Sequence, residues 1–250
     1  MERDDNSAKP WSFVITMAGM GSRFRKAGYD CPKYMITTCG KTLFEWSLDG
    51  LLDLMQPGDR FVFVARKDDD AGDFIRSRCA AMGIASAEII ELSEMTDGQA
   101  TTAKLALDLI PGDAPMAIFN IDTGLVRGAL RREDALGAGW IPCFRAAGDG
   151  WSFCRTDETG RVTEVREKSR ISDFATIGFY WFDSAQGYAD AYAAYYAVAG
   201  REEKGERYVA PLYNQIIQAG SLVSLSEVAL TDVIPLGTPE EVKRFEESRK

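Results

Sequence analysis

Short apolar runs alternate with segments of helical spacing through the first half of the chain. "FVIT" (13–16) reads as a strand and leads into a polar, glycine-rich stretch. "TLFEWSLDGLLDLM" (42–55) then places apolar residues three and four apart, the mark of one helix face, and Thr42 with Glu45 forms a capping box at its start. The strand "RFVFVA", the helix "DAGDFIRSRCAAMG", the strand "AEIIEL", the helix "GQATTAKLALDLI" and the strand "PMAIFNID" come next in order. This βαβαβαβ rhythm predicts an α/β fold with a largely parallel, Rossmann-like sheet flanked by helices. Ligands gather at the carboxyl ends of strands in such sheets, where the glycine-rich stretch and "NID" both fall.

The pattern changes after about residue 140. "WSFCRTDETGRVTEVREK" reads as a small hairpin annex, two strands joined by an Asp/Gly turn, and "ATIGFYWF" as one further strand. "GYADAYAAYYAVAG" puts Tyr188, Tyr192, Tyr195 and Tyr196 on one helical stripe, a pattern of core packing or of a homodimer contact. Thr238, Pro239 and Glu241 open a last helix by capping rules. No repeat, low-complexity tract or linker interrupts the chain, so residues 1–250 read as one domain.

Charge and composition exclude several functions. A net charge of −9 argues against a nucleic-acid surface or an anionic membrane partner. No apolar run approaches eighteen residues, and "MERDDNSAKPW" is the reverse of a secretory signal, so a cytoplasmic location is expected. The five cysteines lack C-x-x-C spacing and read as reduced thiols. There is no histidine, which removes Ser-His-Asp and Cys-His catalysis and His-ligated zinc. Chemistry is left to carboxylates, cations and a metal held by oxygen.

The stretch "MAGMGSRFRKAGYDCPKYM" (17–35) therefore stands out, because it concentrates glycine and positive charge in an acidic chain. A dinucleotide fingerprint would need glycine at Phe24, and a P-loop ending in "GKT" would need glycine at Met35. A glycine turn after a buried strand still exposes backbone N–H groups suited to phosphate oxygens, with Gly19 and Gly21 leaving room for a ligand. Arg23 and Lys33 could both neutralise a polyphosphate.

These residues resemble a known signature. "MAGMGSRF…PKYMITTCGKTLFEWSL" is similar to the G-x-G-[ST]-R-[FL]…P-K…[GK]-K-P pattern of the sugar-phosphate nucleotidyltransferases. The resemblance spans about residues 13–245 and includes "DGQATTAKLALDLI", "FNID" and "VTEVREK". "ISDFATIGFYWF", "ERYVAPLYNQII" and "LGTPEEVKRF" look closer to one branch, the small enzymes of capsule and surface-polymer synthesis, which includes a CTP:phosphoglutamine cytidylyltransferase. The resemblance implies a GT-A-like nucleotidyltransferase fold, with residues 13–140 binding nucleotide and 141–245 binding acceptor. It implies a reaction in which an NTP and a small phosphorylated acceptor give an NDP-type conjugate and pyrophosphate, with Mg²⁺ as cofactor. Carried across by position, Ala18, Gly19, Gly21, Ser22, Gly98 and Asn120 would line the nucleotide. Arg23 would hold its β and γ phosphates, Lys33 its α-phosphate and Asp122 the metal. Glu167, Lys168 and Gly178 would face the acceptor, with Lys168 at its phosphate.

Two positions depart from the pattern. Ser93 stands nearest to where thymidylyl- and uridylyltransferases carry a base-reading Gln, which leaves base choice open between CTP and UTP. Pro235 occupies the place of a second metal-binding Asp. A GT-A-type glycosyltransferase and a non-catalytic nucleotide-binding subunit remain the alternative readings.

Overall fold

The computed structural model describes residues 9–249, so most of the acidic segment that opens the chain lies outside the described residues. The first half contains β1 (Ser12–Thr16), α1 (Ser22–Lys26), β2 (Thr37–Thr38), β3 (Lys41–Thr42) and α2 (Leu43–Asp49). Then come β4 (Arg60–Arg66), α3 (Gly72–Ala81), β5 (Ala87–Leu92), α4 (Gln99–Lys104), β6 (Met116–Asn120) and the short β7 (Thr123–Leu125). The second half supplies β8 (Gly139–Arg145), β9 (Ser152–Thr156), β10 (Val162–Glu167), β11 (Phe174–Thr176) and β12 (Phe179–Phe182). It continues with α5 (Ala185–Tyr196), α6 (Tyr213–Gln218), β13 (Val223–Glu227), β14 (Val233–Pro235) and α7 (Pro239–Ser248).

Ten strands make one sheet in the order β10-β9-β11-β8-β12-β6-β1-β4-β5, with β13 beside β8. The β5-β4-β1-β6 half is parallel, as the βαβ rhythm requires. β12, β8, β11, β9 and β10 extend it antiparallel, and β13 pairs parallel with β8. Strand alternation gives each face its own core. Phe13 and Ile15 join Phe61, Phe63 and Phe119 on one face, while Val14 joins Val62, Val64 and Ile118 on the other. Phe13 stacks on its register partner Phe61 with ring centroids 4.7 Å apart.

Local signals place the flanking elements. The Thr42–Glu45 box is closed in both directions, so α2 starts where its sequence says it should. The helical spacing of 42–55 is broken, however: α2 ends at Asp49 and only a short 3-10 turn, Leu52–Leu54, continues it. The 98–110 segment divides in the same way, into α4 and a 3-10 turn at Leu105–Leu109. "ATIGFYWF" is two strands rather than one. Gly178 sits between them at φ 81°, and a Cβ there would lie 2.6 Å from Nδ2 of Asn120. The tyrosine stripe is core: Tyr188 and Tyr192 are buried, and Tyr195 and Tyr196 pack partly buried against the same cluster. A third apolar cluster joins Phe24 of α1 and Leu43 of α2 to Leu236, Val242 and Phe245. That contact brings the C-terminal helix up to the edge of the sheet where β1 and β6 end.

Among the described residues no helix is long and apolar enough to cross a membrane. All five cysteines are free thiols, three of them buried, and desolvation pushes Cys79 up to about 12.

Candidate active site

Two cavities open at the carboxyl ends of β1 and β6 and share a wall. One, of about 420 Å³, is lined by Met17, Ala18 and Gly19 after β1, by Lys33, and by the loop Met95–Gln99. The other, of about 450 Å³, is lined by Arg23, Trp151, Ser152, Glu167, Lys168 and Gly178. Gln99, Asn120, Asp122 and Tyr208 border both. The parallel sheet thus places its ligand space where such sheets usually do.

The helix after the glycine loop sets the loop's shape. Gly21 takes φ 59° as the N-cap of α1, and buried Phe24 pins that five-residue helix into the third cluster. Ser22 and Arg23 are left exposed, and Arg23 faces the second cavity with no ion pair among the described residues. A Cβ on Gly19 would meet nothing within 4 Å, so the loop presents bare backbone to the first cavity. Pro32 caps the single 3-10 turn that begins at Lys33. From there Nζ of Lys33 donates to Oδ2 of Asp122 at 2.9 Å, with the lysine side chain only 15% exposed. Lys33 borders the first cavity and Asp122 both, so cation and carboxylate meet where the two spaces adjoin.

Asp122 lies just past β6, in the turn into β7. Its carbonyl accepts from the Leu236 N–H at 2.9 Å, and β7 pairs antiparallel with β14. Asn120, the last residue of β6, faces both cavities, and its side chain fills the space a Gly178 Cβ would occupy. Gly178 lines the second cavity, and a side chain there would collide with Asn120.

The second loop is braced from behind. Gly98 adopts φ 144°, and a Cβ there would lie 2.4 Å from the Arg207 backbone. Glycine at this position therefore answers to the segment at Arg207 as well as lining the first cavity. The Arg207 N–H donates to the Asp97 carbonyl at 2.7 Å, and the Ala100 N–H to the Arg207 carbonyl at 2.9 Å. The tyrosine stripe completes the brace: Tyr188 Oη donates to the Ala100 carbonyl, and Arg207 donates to Tyr192 Oη at 2.9 Å. Ser93 is exposed and lines neither cavity, whereas Thr96 and Gln99 do border the first.

The far wall carries a polar cluster. Glu167, the last residue of β10, has an 8% exposed side chain and accepts a hydrogen bond from Ser152 Oγ. Burial pushes its carboxyl above the ordinary range, although Ser152 and the Lys168 ammonium 3.7 Å away pull it down. Lys168 holds φ 49°, an unusual conformation for a side-chain-bearing residue of the kind found at functional sites. Its N–H donates to the Trp151 carbonyl at 2.9 Å, and its Nζ donates to Tyr208 Oη at 2.6 Å. Burial, then the bond it donates to Glu206, raise the Tyr208 phenol. Sequence reasoning alone does not single out Trp151, Gln99 or Tyr208. Gln99 carries a usable signal, since it directly follows Gly98 at the start of a helix facing "NID".

Glu167→Gln tests the buried carboxylate. Below the usual glutamate pKa both folded and unfolded chains hold the proton. As pH rises through the interval up to the raised folded value, only the unfolded chain releases it, so wild-type stability falls. The glutamine variant should melt near wild type towards pH 4.5 and above it at pH 7.5. Identical melting curves at both pH values would remove the desolvation argument.

No family model and no curated protein matches the chain. Solved structures do. The nucleoside-diphosphate-sugar pyrophosphorylase from Vibrio cholerae RC9 superposes with a TM-score of 0.88 at 35% identity, over 94% of this chain and 99% of that one. The inositol-1-phosphate CTP transferase from T. maritima gives a TM-score of 0.74 at 14% identity, over 96% and 95% of the two chains. The CTP:phosphocholine cytidylyltransferase from Streptococcus pneumoniae gives 0.73 at 15%, over 96% and 100%. The last two share the fold.

Proposed function

The chain belongs to the nucleotidyltransferase family of that Vibrio cholerae pyrophosphorylase, and from this membership we propose that it transfers NMP from a pyrimidine nucleotide, CTP before UTP, to a small phosphorylated acceptor such as a sugar 1-phosphate. Pyrophosphate is the second product, and the conjugate serves as an activated precursor for a surface polymer in the cytoplasm. The observation that carries the reading is the meeting of two cavities at the Lys33–Asp122 pair, one under the glycine loop and one under Glu167 and Lys168. In this reading residues 13–140 and 141–245 are the nucleotide and acceptor halves of one catalytic domain.

The reaction asks little of acid–base groups. A phosphate monoester is mostly dianionic near neutral pH, with a second pKa of about 6, so its oxygen attacks the α-phosphorus without a base. The new P–O bond forms as the bond to the β-phosphate oxygen breaks, and pyrophosphate carries away the electron pair. What remains is to hold two anions in line and screen their repulsion. Backbone N–H groups from Ala18 to Ser22 cradle the phosphates, Lys33 stabilises charge on the α-phosphate, and Arg23 reaches the phosphates from the other side of the junction. Asn120 and Gly98 border the nucleotide, while Lys168 binds the acceptor phosphate and Glu167 orients the rest of the acceptor.

The donor set also fits magnesium. Asp122 offers a hard carboxylate facing both cavities, and no group of three or more His, Cys, Asp or Glu lies together among the described residues. Mg²⁺ suits such a site, because it takes one or two carboxylates with phosphate oxygens and waters rather than a full protein cage. When bound, it would neutralise phosphate charge at the junction.

The test is pyrophosphate release from each of the four NTPs with a panel of phosphorylated acceptors. Release with CTP or UTP and one acceptor class is expected. A clear preference for ATP or GTP would overturn the choice of base. NDP release from a nucleotide sugar, with no pyrophosphate, would make the protein a glycosyltransferase.

A further inference from the structure

Gly237 stands between two carboxylates. A Cβ built on it would lie 3.4 Å from Oε2 of Glu241 and 3.7 Å from Oδ2 of Asp122. The two oxygens are therefore at most about 7 Å apart, across a space that this glycine leaves open. Both residues line the second cavity, as does Pro235, which has no side-chain oxygen to offer. We infer that Glu241 is the second carboxylate facing the catalytic cation, an inference that rests on the magnesium-dependent reading of the site.

The local structure explains why this glutamate is available. Thr238 caps α7 and accepts from the Glu241 N–H at 3.1 Å, with Pro239 at the first turn. The same threonine-to-glutamate spacing opens α2, where the Glu45 carboxylate turns back to accept from the Thr42 N–H at 2.8 Å. In α7 that return bond is not made, and the Glu241 carboxylate has no hydrogen bond or ion pair among the described residues. It faces Asp122 instead. Val242 and Phe245 anchor α7 in the third cluster, and the Leu236–Asp122 backbone bond fixes the chain just before Gly237. The approach of the two carboxylates is thus held by packing on both sides. Lys33 already sits 2.9 Å from Oδ2 of Asp122, whereas Glu241 has no cationic partner among the described residues, so a divalent cation in the shared space would supply the charge that one ammonium does not give to two carboxylates.

The experiment is Mn²⁺ binding followed by electron paramagnetic resonance on wild type, Glu241→Gln, Gly237→Ala and Asp122→Asn, alongside thermal melts without metal. Glu241→Gln keeps the size of the side chain and the backbone N–H that Thr238 accepts. Gly237→Ala puts a methyl between the carboxylates at ordinary contact distances. Both variants are expected to bind Mn²⁺ about tenfold or more weakly, with melting temperatures close to wild type, as is usual when a supporting group at a metal site is lost. Their activity should recover as Mg²⁺ is raised. Unchanged Mn²⁺ affinity in Glu241→Gln with weakened binding in Asp122→Asn would overturn this inference alone. Unchanged affinity in all three variants would overturn the magnesium reading itself. A raised KM for the acceptor at unchanged Mn²⁺ affinity would assign Glu241 to the acceptor instead.

Discussion

Replacing Lys33 by alanine is expected to lower kcat by about 10²- to 10³-fold, or roughly 3–4 kcal/mol of transition-state stabilisation, the usual cost of one group aimed at developing charge. The fold should survive. The Lys33–Asp122 pair is partly buried, with side chains 15% and 34% exposed, but it borders open cavities, so water can reach Asp122 once the ammonium is gone. Arg23→Ala should show a loss of similar size, and Arg23→Lys should not restore it, because an ammonium cannot bind phosphate through a planar two-point fork. Mn²⁺ affinity gives the internal control: removing Lys33 takes a cation away from Asp122, so metal binding should hold or tighten while turnover collapses. Near-wild-type turnover in Lys33→Ala would leave the phosphate-screening mechanism without its central cation.

The parts of the site legible in the sequence are those whose signal is local. A glycine turn after an apolar strand, a capping box at Thr42 and Glu45, and an Asp/Gly hairpin at 157–160 each state their geometry within a few residues. Asp122 is legible because β6 is a clean apolar run that ends just before it. What stays hidden depends on distant partners. Gly178 interrupts "ATIGFYWF" because Asn120, 58 positions earlier, fills the space beside it. Gly98 lacks a side chain because Arg207 crosses it, and Tyr188 and Tyr192 look like plain core until their hydroxyls are seen to brace that loop. Glu241 reads as a helix-start residue, and the third apolar cluster together with the Leu236–Asp122 backbone bond brings it near Asp122. Ser93 shows the converse: counted along the chain it stands five residues before Gly98, but it is exposed in the bend after β5 and lines neither cavity.

The same distinction between nearness in sequence and nearness in space decides which carboxylates the proposed cation would meet. Asp122→Asn is expected to reduce activity by on the order of 10²-fold or more, and Asp232→Asn to stay within about tenfold. The β7–β14 register gives the reason. Pro235 pairs with Thr123, the neighbour of Asp122, whereas Val233 pairs with Leu125. The Asp232 carbonyl accepts from the Val126 N–H at 2.9 Å, so Asp232 sits at the far end of the ribbon. β14 begins only at Val233 and Asp232 ends the 3-10 turn before it, so the extended chain between them carries Asp232 about 10 Å from position 235. It lines neither cavity, and Asp122 lines both. A Mg²⁺ titration of both variants separates the two roles. Asp122→Asn should need far more Mg²⁺ and still fall short of wild-type kcat, while Asp232→Asn should follow the wild-type curve. Equal losses would mean that the ribbon rearranges when substrate binds and carries Asp232 into the site, against the pairing that now holds it away.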